Sequence, residues 1–349
     1  MDQWLRDNLV CPRDHLGLDL HESVLVCGQG HRYPVVDGIP VMLLSEVEQT
    51  LWVASASLTR ANAQDAGSAP DEIPYADTLG IDPDEREQLR RLPPGPVDPV
   101  VQMSIAKTCG RLYAPVIGRL TSYPIPELRL PPGHGARLLD IGCNWGRWSI
   151  AAARLGYDVV GIDPSLGAVI TARRVCAQLG LAGRFVVADA RYLPFAPAIF
   201  DVGFSYGVLQ HIDKDLAQLA LAELGRVVRP GATVFIQLAH LYGVRSLTNY
   251  ARRGFRAPVK FDDIRYWTLA EMKSVFTRLI GPTSLSVDAY FGLGIQSSDV
   301  AILPLRYRMV VRSSGLLRRM SLALPFMRRF ADSIYVTARR NGAPARPSA

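Results

Sequence analysis

Three acids in this sequence each close a short apolar run: Asp140 in RLLDI, Asp163 in DVVGID and Asp189 in FVVADA. The first run continues into GCNWGRW, where Gly142 and Gly146 bracket Asn144. Glycines admit a ligand close to the main chain, and the helix expected after them offers free N–H groups. A dinucleotide fingerprint would read G-x-G-x-x-G to receive a pyrophosphate. Here the spacing is G-x-x-x-G, and Asn144 is among the residues that best tolerate positive φ. Three carboxylates at strand ends match a pyrophosphate poorly. They suit a ligand carrying an amino group, ribose hydroxyls and a positive charge, with Asp163 at the distance along the chain where an acid takes ribose hydroxyls.

Two further sets of residues have the types for chemistry. Cys11-x3-His15 and Cys27-x3-His31 flank a strand-like stretch. Two ligand pairs on facing turns are a common way to close a tetrahedral zinc site. The candidate set is Cys11, His15, Cys27 and His31. Downstream, SYGVLQHI contains Tyr206 and His211. His211 is the candidate general base by position and by the range in which imidazole titrates, and Tyr206 is a candidate contact to the substrate.

The elements that must position these residues can be read from pattern. From Ala136, short apolar runs (RLLDI, DVVGID, FVVADA, FDVGFS, TVFIQLA) alternate with helical stretches such as LGAVITARRVCAQLG and DLAQLALAELGRVVR. Such alternation predicts a doubly wound, mostly parallel α/β sheet with helices on both faces. In such a sheet the ligand sits beyond the carboxyl ends of the strands, where strand order reverses. TLAE at Thr268 predicts a helix start through a capping box, and DSIYVTARR reads as a last strand. The expected organisation is a β-rich cassette over 1–44, a linker and helical lid over 45–132, and the α/β domain over 133–340. Cap insertions are expected near 240–266 and 291–330, and a disordered tail over 341–349. Gln64 to Glu87 holds eight acids against Arg86 alone, which reads as an exposed linker or mobile lid.

Composition bounds the function. The 349 residues are 48% hydrophobic and 20% charged, ordinary globular values, with net charge +7. The base is nearly all arginine, and it permits anionic partners such as RNA or lipid head groups. MDQWLRDNLV lacks the pattern of a secretory signal, and no apolar run approaches the roughly 18 residues of a membrane span. Five scattered cysteines argue against a disulfide framework. These features place the protein in the cytoplasm.

With these residues in view, the chain from Arg137 to Ala239 resembles the class I S-adenosylmethionine-dependent methyltransferases of the small-molecule type. DIGCNWG is similar to the glycine motif of that family, GIDPS to its ribose acid and ADARYLPF to its adenine strand. FDVGFSYGVLQHI and RVVRPGATVFI resemble the fourth strand with its substrate loop and the turn into the fifth. The resemblance implies a seven-stranded Rossmann-like sheet and S-adenosylmethionine as cofactor. Asp140, Gly142, Asn144 and Gly146 would line the methionine side, Asp163 the ribose, and Asp189 with Ala190 the adenine. Ser205, Tyr206 and Gly207 would line the passage to the reacting methyl. The N-terminal CP…C…HRYPVVDGIPVML resembles the zinc-binding activator family of tRNA and protein methyltransferases, and the zinc hook of rRNA guanine methyltransferases. Those relatives open with C-x-x-C, whereas Asp14 stands at the second cysteine here. His15 replaces it, or Asp14 ligates, or the metal is lost.

Between Val300 and Arg340 stand nine arginines and one acid, Asp332. Arginine pairs mixed with Leu, Met and Phe describe a surface for anionic membrane or RNA, or else a solvated lid. Three readings of function follow. The first is methyl transfer to a small or lipid-like metabolite, at oxygen or carbon. The second is rRNA or tRNA methylation, motivated by the cassette and the basic balance. In the third the chain is non-catalytic and acts through protein contacts. The asparagine–proline–proline–aromatic signature of exocyclic base methylation is absent, since SYGV stands in its place. Oligomeric state is not encoded in these patterns.

Overall fold

The computed structural model describes residues 1–63, 73, 75–92, 95–256, 264–294 and 296–342. A first, small sheet is antiparallel, in the order β1 (Leu18–His21), β2 (Val24–Cys27), β3 (Arg32–Val36) and β4 (Ile39–Pro40), after a short helix α1 (Gln3–Asn8). Three helices follow, α2 (Trp52–Asn62), α3 (Pro83–Arg90) and α4 (Pro99–Cys109).

The α/β region then runs β5 (Arg137–Ile141), α5 (Arg147–Arg154), β6 (Asp158–Asp163), α6 (Leu166–Gln178), β7 (Arg184–Val187) and β8 (Phe200–Tyr206). It continues with α7 (Lys214–Val227), β9 (Val228–Ala239), α8 (Val244–Arg252), α9 (Leu269–Leu279), β10 (Thr283–Ala289), α10 (Leu305–Ala323) and β11 (Ser333–Arg339). Seven strands form one sheet in the order β10-β11-β9-β8-β5-β6-β7. Pairs β5·β6, β5·β8, β6·β7 and β8·β9 are parallel, and β11 runs antiparallel between β9 and β10. This is the doubly wound, mostly parallel sheet expected from the alternating pattern, with the seven strands that the resemblance implies.

Near-continuous apolar strands bury both faces. Leu139, Ile141, Val160, Ile162 and Val186 belong to one core layer, while Leu138, Val159, Phe204, Phe235 and Tyr335 pack around Trp148 on the other. Strand order reverses at β5, whose neighbours are β6 and β8. The carboxyl ends of these three strands therefore surround the expected ligand crevice. Thr268 and Glu271 do form a capping box at the start of α9.

The small sheet is joined to the large one. Val41 bridges Val187 in parallel, the Met42 N–H donates to the Val187 carbonyl at 2.7 Å, and Leu9 bridges Phe195. The exposed edge of β7 is thereby covered, which removes a pairing hazard.

The acidic stretch is folded where it is described, contrary to the reading of an exposed linker or mobile lid; residues 64–72 and 74 lie outside the described residues. Thr78 is fully buried, Asp82 and Glu85 cap α3 reciprocally, and Ile81 and Leu89 pack with Val100 and Met103. Among its described residues Asp82 and Asp84 are exposed, whereas Ile81 is buried. Composition, dominated by the acids, hid the packing. Most of the expected C-terminal tail (343–349) and part of the first cap (257–263) also lie outside the described residues. Among the described residues no helix is long and apolar enough to cross a membrane.

Candidate functional site

The turn after β5 is built from main-chain hydrogen bonds. The N–H groups of Gly142 and Cys143 both donate to the Ile162 carbonyl, at 2.8 and 2.9 Å. The Asn144 N–H donates to Asp163 Oδ2 at 3.0 Å, and Asn144 Oδ1 accepts from the Trp145 N–H at 2.8 Å. Gly142, Asn144 and Gly146 all have positive φ (74°, 46° and 85°). Asn144 thus holds a left-handed position that its own side chain secures. At Gly142 there is a second constraint, because a Cβ there would lie 2.3 Å from Val208 Cγ2. The turn after β5 and the loop after β8 touch through that missing side chain.

Two carboxylates stand at this turn. Asp140 is buried and accepts from the Ser149 hydroxyl at 2.6 Å. Asp163 is buried and accepts from the N–H groups of Asn144 and Ser165, each at 3.0 Å. Among the described residues neither takes a hydrogen bond from an arginine or lysine. Burial pushes the Asp140 carboxyl up to about 7, opposed by the Ser149 hydrogen bond and reinforced by the nearby Asp163 charge. Burial likewise pushes Asp163 up to about 6, against the two backbone N–H groups. A buried pair of acids with no cation is an arrangement that a positively charged ligand relieves.

The remaining candidate residues are placed as follows. Asp189 is held by Arg191, whose Nε lies 3.1 and 3.0 Å from its two oxygens and whose Nη2 reaches Oδ2 at 2.7 Å. The same Nη2 donates to the Glu48 carbonyl at 2.8 Å, tying the strand end to the segment after the small sheet. Ala190, half-buried, lies between them. Ser205 is fully buried, and its hydroxyl donates to the Ile141 carbonyl at 2.9 Å. It locks β8 to β5 and directs its oxygen at the sheet.

The Tyr206 hydroxyl donates to Asp288 Oδ2 at 2.7 Å and accepts from Gln296 Nε2 at 2.8 Å, while its ring lies on Trp148 at 4.4 Å. Burial, with Asp288 beside it, raises this phenol well above its usual range. At neutral pH it is a hydrogen-bond donor and a wall. His211 ends a 3₁₀ turn (Leu209–His211) and is half-buried, its carbonyl accepting from Arg265 at 3.1 Å.

Beside Gly207 stand two glutamines that the sequence reading missed. A Cβ on Gly207 would lie 3.7 Å from Gln237 Oε1 and 3.9 Å from Gln210 Nε2. Both glutamines are buried, and the Oε1 of each lacks a hydrogen-bond partner. Gln237 donates through Nε2 to Ser333 Oγ at 2.6 Å, and Ser333 donates to Asp288 Oδ2 at 2.7 Å. Donation toward a carboxylate strengthens the acceptor left at the other end. No local motif marks this feature, because its residues come from three strands.

In the small sheet the metal-type residues gather with one exchange. Cys11, Asp14, Cys27 and His31 place their ligand atoms within 4.8 Å of one another. His31 Nδ1 lies 3.4 Å from Cys11 Sγ, 3.3 Å from Cys27 Sγ and 3.0 Å from Asp14 Oδ2. His15 is not among them. Its backbone is left-handed (φ 60°), and its exposed ring approaches Glu223 at 3.9 Å instead. Asp14 takes the place because the Leu16 N–H holds Oδ1 at 2.9 Å and leaves Oδ2 facing the thiols.

Comparison with known proteins bears on this geometry. Residues 138–231 match the family model described as a methyltransferase domain. The chain is 34% identical over 107 residues to a ubiquinone biosynthesis O-methyltransferase of Azorhizobium caulinodans, covering 31% of this chain and 42% of that protein. It is 38% identical over 114 residues to O-methyltransferase cnsE of Penicillium expansum, covering 31% and 40%. The chain therefore spans about two fifths of the length of these curated relatives. A solved SAM-dependent methyltransferase from Methanosarcina mazei is similar at 19% identity and a TM-score of 0.42, over 60% of this chain and 94% of that one. The turn at Gly142 and the acids Asp140 and Asp163 thus lie within the residues, 138–231, that match a methyltransferase domain.

Proposed function

We propose that the protein transfers a methyl group from S-adenosylmethionine to a small or lipid-like acceptor that presents a hydroxyl. The observation that carries this reading is the pair of buried, cation-free carboxylates Asp140 and Asp163 at the reversal of strand order. Bound there, S-adenosylmethionine supplies an electrophilic methyl on a positively charged sulfur. Asp163 suits the ribose hydroxyls, and Asp140 the positive end of the methionine moiety. Asp189, oriented by Arg191, suits the adenine amino group, with Ala190 against the ring. Gly142 and Gly146 keep the main chain low enough for close approach.

The acceptor side is the space by Gly207. The free Oε1 of Gln237, the amide oxygen nearest Gly207, suits an O–H donor, since a buried amide oxygen left unpaired costs about 1–3 kcal/mol. Trp148 and Tyr206 form an aromatic wall beside it. Two curated relatives, both named O-methyltransferases, support oxygen as the methylated atom. We assign His211, the neighbour of Gln210 in the chain, as the group that takes the hydroxyl proton. Alignment of nucleophile and methyl, with exclusion of water, supplies most of the acceleration.

We further propose that Cys11, Asp14, Cys27 and His31 bind zinc. Four of their separations are 3.0–3.5 Å and all lie within 4.8 Å, close to the edges of about 3.3–3.8 Å of a tetrahedron with ligand bonds of about 2.0–2.3 Å. Zinc there would stiffen the module that covers the edge of β7. The five free cysteines, all buried, fit a reducing, cytoplasmic setting.

The test is transfer of labelled methyl from S-adenosylmethionine to a panel of catechols and phenols, with RNA as a parallel arm. Label in a hydroxylated small molecule that is lost in Gln237→Leu supports the reading. Label in RNA alone contradicts it.

A further inference from the structure

Helix α10 is apolar on two sides: Val311 is buried in the core with Val310 and Leu317 packed against it, and a second apolar stripe faces outward. Its inward residues include Ser314 and Ser321, both buried, with the Ser314 Oγ accepting from the Tyr290 N–H at 2.9 Å. Its outward stripe carries Leu305, Met309, Leu316 and Met320, which are 72%, 66%, 60% and 42% exposed. At 100° per residue these four lie one above another, with exposed Arg312 and Arg319 on the same stripe. Leu322, Leu324, Phe326 and Phe330 continue the exposed apolar surface into the 3₁₀ segment Pro325–Phe330. From Val300 to Ala331 the chain has seven arginines and no acid.

A second helix of the same character adjoins it. Asp332 Oδ1 accepts from the Ser246 N–H in α8, and Oδ2 from the Phe291 N–H, each at 2.7 Å. This buried carboxylate sets the start of α8 beside the end of the 3₁₀ segment. Val244 and Leu247 of α8 are exposed, as are Tyr242 before it and Phe255 after it. Arg245 and Arg252 are exposed among them.

Large aliphatic side chains stacked in water mark an interaction surface, and charge selects the occupant. A second copy would bring the same arginines, with no acid between Val300 and Ala331 to meet them. An RNA would pair the guanidinium groups and leave the Leu and Met ridge in water. An anionic bilayer takes both, with the aliphatic side chains in the acyl boundary and the guanidinium groups reaching phosphates. We propose that α10, its 3₁₀ extension and α8 form a surface that lies on an anionic membrane, without spanning it.

The test uses the full chain with no methyl donor or acceptor, so it is independent of the reaction. Flotation is measured with vesicles of phosphatidylcholine alone and with about 30% phosphatidylglycerol. The mixed vesicles are expected to bind about tenfold or more tightly than the neutral ones. Met309→Gln with Leu316→Gln replaces exposed side chains, so melting should be unchanged while binding falls about tenfold. Arg312→Gln with Arg319→Gln should weaken binding to the mixed vesicles and raise none to the neutral ones. No flotation with mixed vesicles overturns the proposal. So does flotation that survives Met309→Gln with Leu316→Gln, which would leave a purely electrostatic surface of the kind RNA uses. A concentration-dependent dimer in light scattering, dissociated by that same variant, would assign the ridge to a second copy and also overturn it.

Discussion

The Asn144 N–H donates to Asp163 Oδ2 at 3.0 Å, so the turn after β5 and the acid that ends β6 are held as one unit. Asp163 therefore has two tasks, fixing the turn and presenting a carboxylate to the crevice. Its Oδ1 accepts from the Ser165 N–H, which also organises the start of α6. In the proposed function, ligand binding and local order would be coupled through this side chain.

Gly142→Ala should be the most damaging single change in the turn. The new Cβ would meet Val208 at 2.3 Å and sit at φ 74°. Overpacking costs about 1–3 kcal/mol, and a left-handed backbone adds roughly 1–2 kcal/mol. Denaturant melts should show this loss. Gly142→Ala with Val208→Ala should recover the packing part alone.

Stability and cofactor affinity should respond to pH in opposite directions. Asp140 and Asp163 titrate near 7 and 6, above the 3.8 of an unburied aspartate. A carboxyl raised in the folded state contributes stability that is fully present below the unfolded value and lost as pH rises through the folded one. The ligand-free protein should lose melting temperature between about pH 4 and 7 through these two groups. Binding of a cationic cofactor should strengthen over the same interval. Melting curves of Asp140→Asn against the parent chain, with and without S-adenosylmethionine, would show whether the two trends cross.

Much of this site was legible in the sequence because it is local. Asp140, Gly142, Asn144 and Gly146 lie within seven consecutive residues, and each apolar strand announces itself. What was not legible is what arrives from elsewhere. The Gly167 N–H, in the first turn of α6, donates to Thr78 Oγ1 at 2.7 Å, and the Leu166 N–H donates to Ser57 Oγ at 3.0 Å. These partners lie across a stretch whose acids suggested a linker. The pairing of Asp189 with Arg191 follows from a turn two residues long, and nothing in ADARY distinguishes it from a solvated arginine. His15 and Asp14 are adjacent, so spacing alone does not choose between them. The choice is made by the left-handed backbone at His15 and the N–H of Leu16.

That choice can be checked by metal analysis. Asp14→Ala and His31→Ala should each lower bound zinc and loosen the small sheet, whereas His15→Ala should keep one zinc per chain. The reverse pattern, with zinc lost on His15→Ala and kept on Asp14→Ala, would contradict the ligand set.

Arg191→Leu removes the guanidinium that holds both Asp189 and the Glu48 carbonyl. Freed of it, Asp189 should lose its orientation without losing its charge. Affinity for S-adenosylmethionine should fall by about tenfold, the cost of one weakened hydrogen bond of roughly 1.5 kcal/mol. Affinity for methionine alone, which lacks the adenine, should be unchanged.

The central claim is that Asp163 and its turn bind S-adenosylmethionine. Calorimetric titration of the chain with S-adenosylmethionine, beside Asp163→Ala of verified fold, tests it most directly. Binding by the parent chain that falls about 10- to 150-fold in the variant, the 1.5–3 kcal/mol of a charged hydrogen bond, is the predicted result. No binding by the folded parent chain, or equal binding by both proteins, would contradict it.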